Sequence, residues 1–120
     1  MTTFKTLLIS KPAPHVLQVT LNRPEAANAF NTQMALDLVS AFEAVAMEPA
    51  DTRAIILTGS GNRSFCAGGD LKERNAMSNT AWANQHLIYE RMTRAILNCP
   101  IPIIGAINGA AYGGGCELAA

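Results

Sequence analysis

An α/β fold with parallel strand pairing is predicted for this chain, on three features of its sequence. Strand-like and helix-like patterns alternate along the 120 residues. Two short, unbroken apolar runs, Arg53–Thr58 (RAIILT) and Ile103–Ile107, have the composition of strands covered on both faces. Each run leads into a glycine-rich turn, the punctuation expected where a strand hands over to a helix.

The elements follow in order. Thr3–Ser10 reads as a first, weakly patterned strand, closed by a turn through Pro12 and Pro14. Leu17, Val19 and Leu21 alternate with Gln18, Thr20 and Asn22, the period of a half-buried strand, and Pro24 ends it. Met34, Leu38, Phe42, Val45 and Ala46 share one face at helical spacing, with Asn31 or Thr32 to cap the helix and Pro49 to close it. After the RAIILT strand, Gly59–Gly69 reads as a loop and Asp70–Ala76 as a short helix. Thr80–Asn98 is a longer helix whose apolar face is Ile88, Met92, Ala95, Ile96 and Cys99, with cap candidates at Ser78–Thr80. Cys99-Pro100-Ile101-Pro102 breaks it, and the strand Ile103–Ile107 runs into Asn108-Gly109 and three consecutive glycines. The helix opening near Gly113 meets no stop signal: no capping glycine, basic last turn or proline follows Glu117–Ala120. A buried parallel sheet also needs further elements to cover it. The expectation is therefore that residues 1–120 are the N-terminal part of a single domain that continues.

Composition narrows the function classes. Hydrophobic residues make up 49% of the chain, enough for a folded core. Nine basic residues balance nine acidic ones, which points away from non-specific nucleic-acid or anionic-membrane binding. Cys66, Cys99 and Cys116 are odd in number and widely spaced, there is no C-x-x-C, and His15 and His86 lie far apart, so no metal site is expected. Three reduced, mostly buried thiols in a cytoplasmic protein are expected instead. The apolar stretch Leu7–Ile9 is too short for a secretion signal, and no run approaches the ~20 residues of a membrane span.

Two glycine turns carry the chemistry. FCAGGDLKE (Phe65–Glu73) and AAYGGGCEL (Ala110–Leu118) each place backbone N–H groups just before, or in the first turn of, a helix. Two such donors aimed at one point make an oxyanion hole. Either turn alone is ordinary turn chemistry; the pair in one short chain is more specific. Glu117, three residues beyond the middle glycine, stands about one helical turn away and can reach the same spot. Its competing role is a first-turn glutamate favoured by the helix dipole. A dinucleotide-binding turn is disfavoured, because Gly59-Ser60-Gly61-Asn62-Arg63-Ser64 ends in serine and no helical pattern follows. Trp82, Tyr89, Met77 and Met92, on or near the long helix, suit core packing or an acyl tunnel.

Three ordered blocks, VTLNRPEAANAFN (Val19–Asn31), IILTGSGNRSFCAGGDLKE (Ile55–Glu73) and PIIGAINGAAYGGGCELA (Pro102–Ala119), resemble the N-terminal part of the crotonase superfamily, the enoyl-CoA hydratases and isomerases. The resemblance implies a crotonase-like spiral of ββα units and a role in acyl-CoA and fatty acid metabolism. It implies that the N–H groups of Gly69 and Gly114 bind the thioester carbonyl and stabilise an enolate. It places the first catalytic glutamate, which holds and deprotonates the added water, at Glu117. For CoA it implies contacts from Ala67, Gly68, Gly69, Asp70, Leu71, Lys72 and Gly114, with Lys72 near a phosphate and the backbone of Ala26 and Ala27 lining the adenine site. Asp70 is also read as a helix cap. No cofactor is implied beyond the CoA that the substrate carries, and a homotrimer or hexamer is implied for a full-length chain. The second glutamate of family hydratases falls past residue 120, so the isolated chain is expected to show no hydratase activity. Three readings remain: a hydratase, including a methylglutaconyl-CoA hydratase suggested by DLKER and Met77; another acyl-CoA reaction such as isomerisation, decarboxylation or dehalogenation; or a non-catalytic CoA-binding fragment.

Overall fold

The computed structural model describes residues 3–120. Strands β1 (Leu7–Ala13), β2 (Val16–Leu21), β3 (Ala54–Gly59) and β5 (Ile103–Ala106) form a four-stranded sheet in the order β1-β2-β3-β5. Strands β2, β3 and β5 run parallel, as expected, with Leu17 beside Ile55 and Ile55 beside Ile103. The pair β1–β2 is antiparallel, because only Pro14 and His15 separate the strands and so short a link cannot cross over. His15 makes this turn at φ +66°.

The first strand lies three to four residues later than predicted, and Pro12 falls inside it. It is an edge strand, and its register with β2 shifts between Ser10 and Ala13, both circumstances in which a missing N–H is tolerated. The alternation in β2 holds for Leu17, Val19 and Leu21, but Thr20 is buried as well.

Helix α1 (Thr32–Met47) covers one face of the sheet. Asn31 is its cap, the side-chain oxygen accepting the Met34 N–H at 2.9 Å. Met34, Leu38 and Phe42 of α1 join Leu17, Val19, Leu21, Ile55 and Leu57 of the sheet and Met92 of helix α3 (Asn79–Leu97) in one core cluster. Of the predicted apolar face of α1, Val45 is half-buried and Ala46 exposed, because the helix end runs past the sheet. The other sheet face is open: Ile56 is half-buried, and Leu8 and Ile104 are 52% and 57% exposed. The apolar runs therefore overstate the cover, since burial in β3 alternates along the strand.

A second sheet was not legible in the sequence. Strands β4 (Ser64–Cys66) and β6 (Ala110–Ala111) pair in parallel, Ser64 with Ala110 and Cys66 with Ala111, inside what reads as loop and turn. Two asparagine clusters, one around buried Asn28 and one around half-buried Asn108, pin this region. Asn28 donates to the Ser60 and Ser64 carbonyls, while Asn108 accepts the Gly59 N–H and donates to the carbonyls of Gly61 and Ser64. Short helices α2 (Leu71–Asn75) and α4 (Gly114–Ala119) follow the two strands. Among the described residues no helix is long and apolar enough to cross a membrane. Of the cysteines, Cys66 is buried, Cys99 half-buried and Cys116 exposed, so the expectation of mostly buried thiols holds only for the first.

Candidate active site

The parallel pairing of β4 and β6 decides the site. Parallel strands release their chains at the same end, so the turn after β4 and the turn after β6 emerge side by side. The Tyr112 N–H donates to the Cys66 carbonyl at 3.1 Å, extending the pairing into the glycines. A Cβ built on Gly68 would lie 2.9 Å from the Tyr112 oxygen and 3.3 Å from the Gly114 nitrogen. The two turns predicted to act together are thus in contact.

Phe30 bridges them. Its N–H donates to the Gly68 carbonyl at 2.8 Å, and its carbonyl accepts the Asp70 N–H at 3.0 Å. In such a bridge the residue between, Gly69, turns its own N–H to the opposite side. The Phe30 ring meanwhile lies against Gly114, where a Cβ would stand 2.5 Å from ring atom Cζ. Gly115 is closer still to its surroundings, its Cβ position colliding with the Cys66 carbonyl, and Gly113 opens the helix at φ +51°. Three successive glycines are needed for three different reasons. Among the described residues neither the Gly69 N–H nor the Gly114 N–H has an acceptor. The second is an orphan donor of the α4 N-terminus.

One cavity of about 1220 Å³ is lined by Gly69, Gly114 and Glu117 together, with Tyr89, Met92 and Ile96 of α3 among its walls. The Glu117 side chain is exposed at this opening. Met92 is core as well as wall, and the Tyr89 hydroxyl donates to the Phe30 carbonyl at 3.2 Å. Burial, then the carboxylates of Glu73 and Asp70, push the Tyr89 phenol up to about 12, so it stays a donor.

Asp70 caps α2, accepting the N–H groups of Lys72 and Glu73 at 3.0 and 3.2 Å. Arg23 pairs with its other oxygen at 3.0 Å and reaches the Ala29 carbonyl at 2.7 Å. Burial alone would raise the Asp70 carboxyl; the Glu73 N–H and the Arg23 guanidinium outweigh it and hold it below the ordinary carboxylate range. One Glu73 oxygen accepts the Thr32 N–H, the Thr32 hydroxyl and the Gln85 amide at 2.9, 3.0 and 2.6 Å. This network ties α1, α2 and α3 behind the Gly69 turn.

The remaining predicted contacts are spread along one side. The Ala67 N–H donates to the Ala27 carbonyl at 3.1 Å, which brings the Ala26–Ala27 turn next to Ala67–Asp70. The Ala26 and Ala27 N–H groups donate to the carbonyls of Arg23 and Pro24, and their own carbonyls accept the N–H groups of Ala29 and Ala67. Leu71 and Lys72 are exposed and lie outside the cavity lining. Sequence reasoning missed Arg23, Phe30, Glu73 and Gln85. Gln85 had a signal, since it interrupts the apolar stripe that continues through Ile88 and Met92, and it is 4% exposed.

Two backbone N–H groups without acceptors among the described residues, at paired glycine turns, open with a carboxylate on one cavity of an α/β fold, an arrangement able to stabilise an anion. Residues 13–120 match the family model for enoyl-CoA hydratase/isomerase, and the chain belongs to that family. It is 43% identical over 101 residues to a probable enoyl-CoA hydratase of Rhodobacter capsulatus, covering 84% of this chain and 38% of the relative. It is 38% identical over 117 residues to the 1,2-epoxyphenylacetyl-CoA isomerase of Escherichia coli, covering 93% and 44%. The crystal structure of an enoyl-CoA hydratase from Bacillus anthracis superposes with a TM-score of 0.91 at 36% identity, covering 96% of this chain and 44% of that one. The fold is thus the crotonase-like α/β fold, and the chain spans about two fifths of the length of the relatives it matches.

Proposed function

We propose that this chain supplies the oxyanion hole and first acid/base residue of an enoyl-CoA hydratase. The observation that carries the reading is the single cavity lined by Gly69, Gly114 and Glu117. The substrate's thioester oxygen accepts both glycine N–H groups. Negative charge grows on that oxygen as water adds to the β-carbon, so the donors stabilise the transition state more than the ground state. Glu117 orients the water and takes its proton as the new C–O bond forms. The α-carbon is then protonated by an acid outside these residues. The nucleotide of CoA leaves past Ala67–Lys72 towards Ala26 and Ala27, with Lys72 free to meet a phosphate, and no further cofactor takes part. The protein works in the cytoplasm, in fatty acid metabolism, as a homotrimer or hexamer.

The test is hydration of crotonyl-CoA by the product of the intact reading frame. Glu117→Gln should lower kcat by about 10²–10⁴ while the Kd for a saturated acyl-CoA stays within about twofold. Unchanged turnover would remove Glu117 from the mechanism. The second reading, double-bond isomerisation on the same scaffold, draws support from the likeness to a CoA-ester isomerase. It predicts a product with the same mass as the substrate.

A further inference from the structure

The ring of Phe30 borders both proposed donors. A Cβ on Gly114 would lie 2.5 Å from its Cζ, and one on Gly69 would lie 3.9 Å from its Cε2. In an interior packed this closely, the spacing of the two N–H groups follows the position of the ring. The backbone of Phe30 adds a second hold, since its carbonyl accepts the Asp70 N–H and fixes the turn that carries Gly69.

Tyr89 of α3 acts on both parts of Phe30. Its ring meets the Phe30 ring edge-on, with 5.2 Å between centres and 84° between planes. Its hydroxyl donates to the Phe30 carbonyl at 3.2 Å, the same oxygen that accepts the Asp70 N–H. Burial pushes the phenol up to about 12, so the donor keeps its proton at neutral pH. Tyr89 also lines the cavity of Gly69, Gly114 and Glu117, yet its one hydroxyl proton goes to Phe30. A phenylalanine would fill the same wall. Among the described residues the hydroxyl has no other partner, so what it adds is a hold on the frame of the two donors.

We propose that Tyr89 is a positioning residue: acting through Phe30, it sets the aim of the Gly69 and Gly114 N–H groups without touching the reacting atoms. The inference rests on the function proposed above. Donors must stand about 2.7–3.1 Å from the developing oxyanion, so a shift of a few tenths of an ångström weakens the transition state more than the bound substrate.

The test compares Tyr89→Phe and Tyr89→Leu with the unaltered intact protein. Two quantities are read: turnover of crotonyl-CoA, and the infrared carbonyl stretch of bound butanoyl-CoA isotope-labelled at that carbonyl. Hydrogen bonds to the oxygen lower this frequency. Tyr89→Phe keeps the ring and should lower kcat about three- to tenfold, the scale of one lost neutral hydrogen bond. Tyr89→Leu removes the ring as well and should lower kcat about 10²-fold, the scale of one misplaced donor. In both, the Kd for butanoyl-CoA should stay within about threefold while the bound carbonyl moves back towards its frequency in water. A lowered melting temperature with the carbonyl frequency in place would make Tyr89 a packing residue and overturn the proposal. A Kd weakened tenfold with kcat unchanged would make it a wall of the cavity and overturn it too. Unchanged kcat and frequency in Tyr89→Phe would overturn it on their own, so a Tyr89→Leu chain that fails to fold leaves the test intact. An unaltered protein that binds butanoyl-CoA without lowering its carbonyl stretch would instead remove the oxyanion hole itself, and this inference with it.

Discussion

Gly114→Ala tests the geometry of the proposed oxyanion hole most directly. The added methyl would stand 2.5 Å from Cζ of Phe30 and 3.1 Å from Cε1, where carbon atoms need about 3.5–4.0 Å. About 1 Å of movement is required, because the contact is that far inside van der Waals range. The ring has little room to give. Phe30 is 6% exposed, its backbone is bonded to both Gly68 and Asp70, and Tyr89 packs edge-on at 5.2 Å. The first turn of α4 is the softer partner and carries the Gly114 N–H away with it. Overpacking of this kind costs about 1–3 kcal/mol of stability. Misplacing one donor should cost about 10²–10³ in kcat.

Gly69→Ala is the internal control. Its Cβ would meet nothing nearer than 3.9 Å, and its φ lies in the range any residue adopts. Stability should hold within about 0.5 kcal/mol, as for an ordinary surface substitution. The rate should hold within a few-fold. Thermal unfolding reads the first quantity and the loss of enoyl-thioester absorbance the second. Adding Phe30→Leu to Gly114→Ala removes the tip of the ring and should restore part of the rate. A silent Gly114→Ala beside a crippled Gly69→Ala would refute the argument.

Two further outcomes follow from the groups behind the site. Glu73→Ala removes the acceptor shared by Thr32 and the buried Gln85, and should cost about 1–3 kcal/mol for each buried donor left unpaired, read by urea denaturation. A loss below about 0.5 kcal/mol, the scale of a neutral surface change, would show that the network carries no net stability. Asp70 gives a pH dependence: its folded pKa lies below the unfolded value, so the unfolded chain binds more protons as pH falls. Its contribution is complete above the ordinary carboxylate range, about pH 4, and is lost as pH drops through the lower folded value. Asp70→Asn should therefore flatten the acid limb of a stability–pH curve, and an unchanged limb would count against the Arg23–Asp70 pair.

What the sequence determined by itself is local chemistry and periodicity. Apolar spacing located α1 and α3 to within a residue or two, cap candidates stood at Asn31 or Thr32, at Asp70 and at Ser78–Thr80, of which Asn31, Asp70 and Ser78 serve, and the two glycine turns marked both candidate donors. These features act over one or two turns of chain, so neighbouring residues are enough to specify them. Strands β4 and β6 left no such trace. A three-residue and a two-residue strand have no measurable period, and they exist because Ser64–Cys66 and Ala110–Ala111 find each other across more than forty residues. The bridging role of Phe30, the sharing of Glu73 by Thr32 and Gln85, and the clamp from Arg23 to Asp70 are equally non-local. Only the tertiary structure brings Gly69, Gly114 and Glu117 onto one cavity, because parallel pairing makes both turns leave the small sheet at the same end.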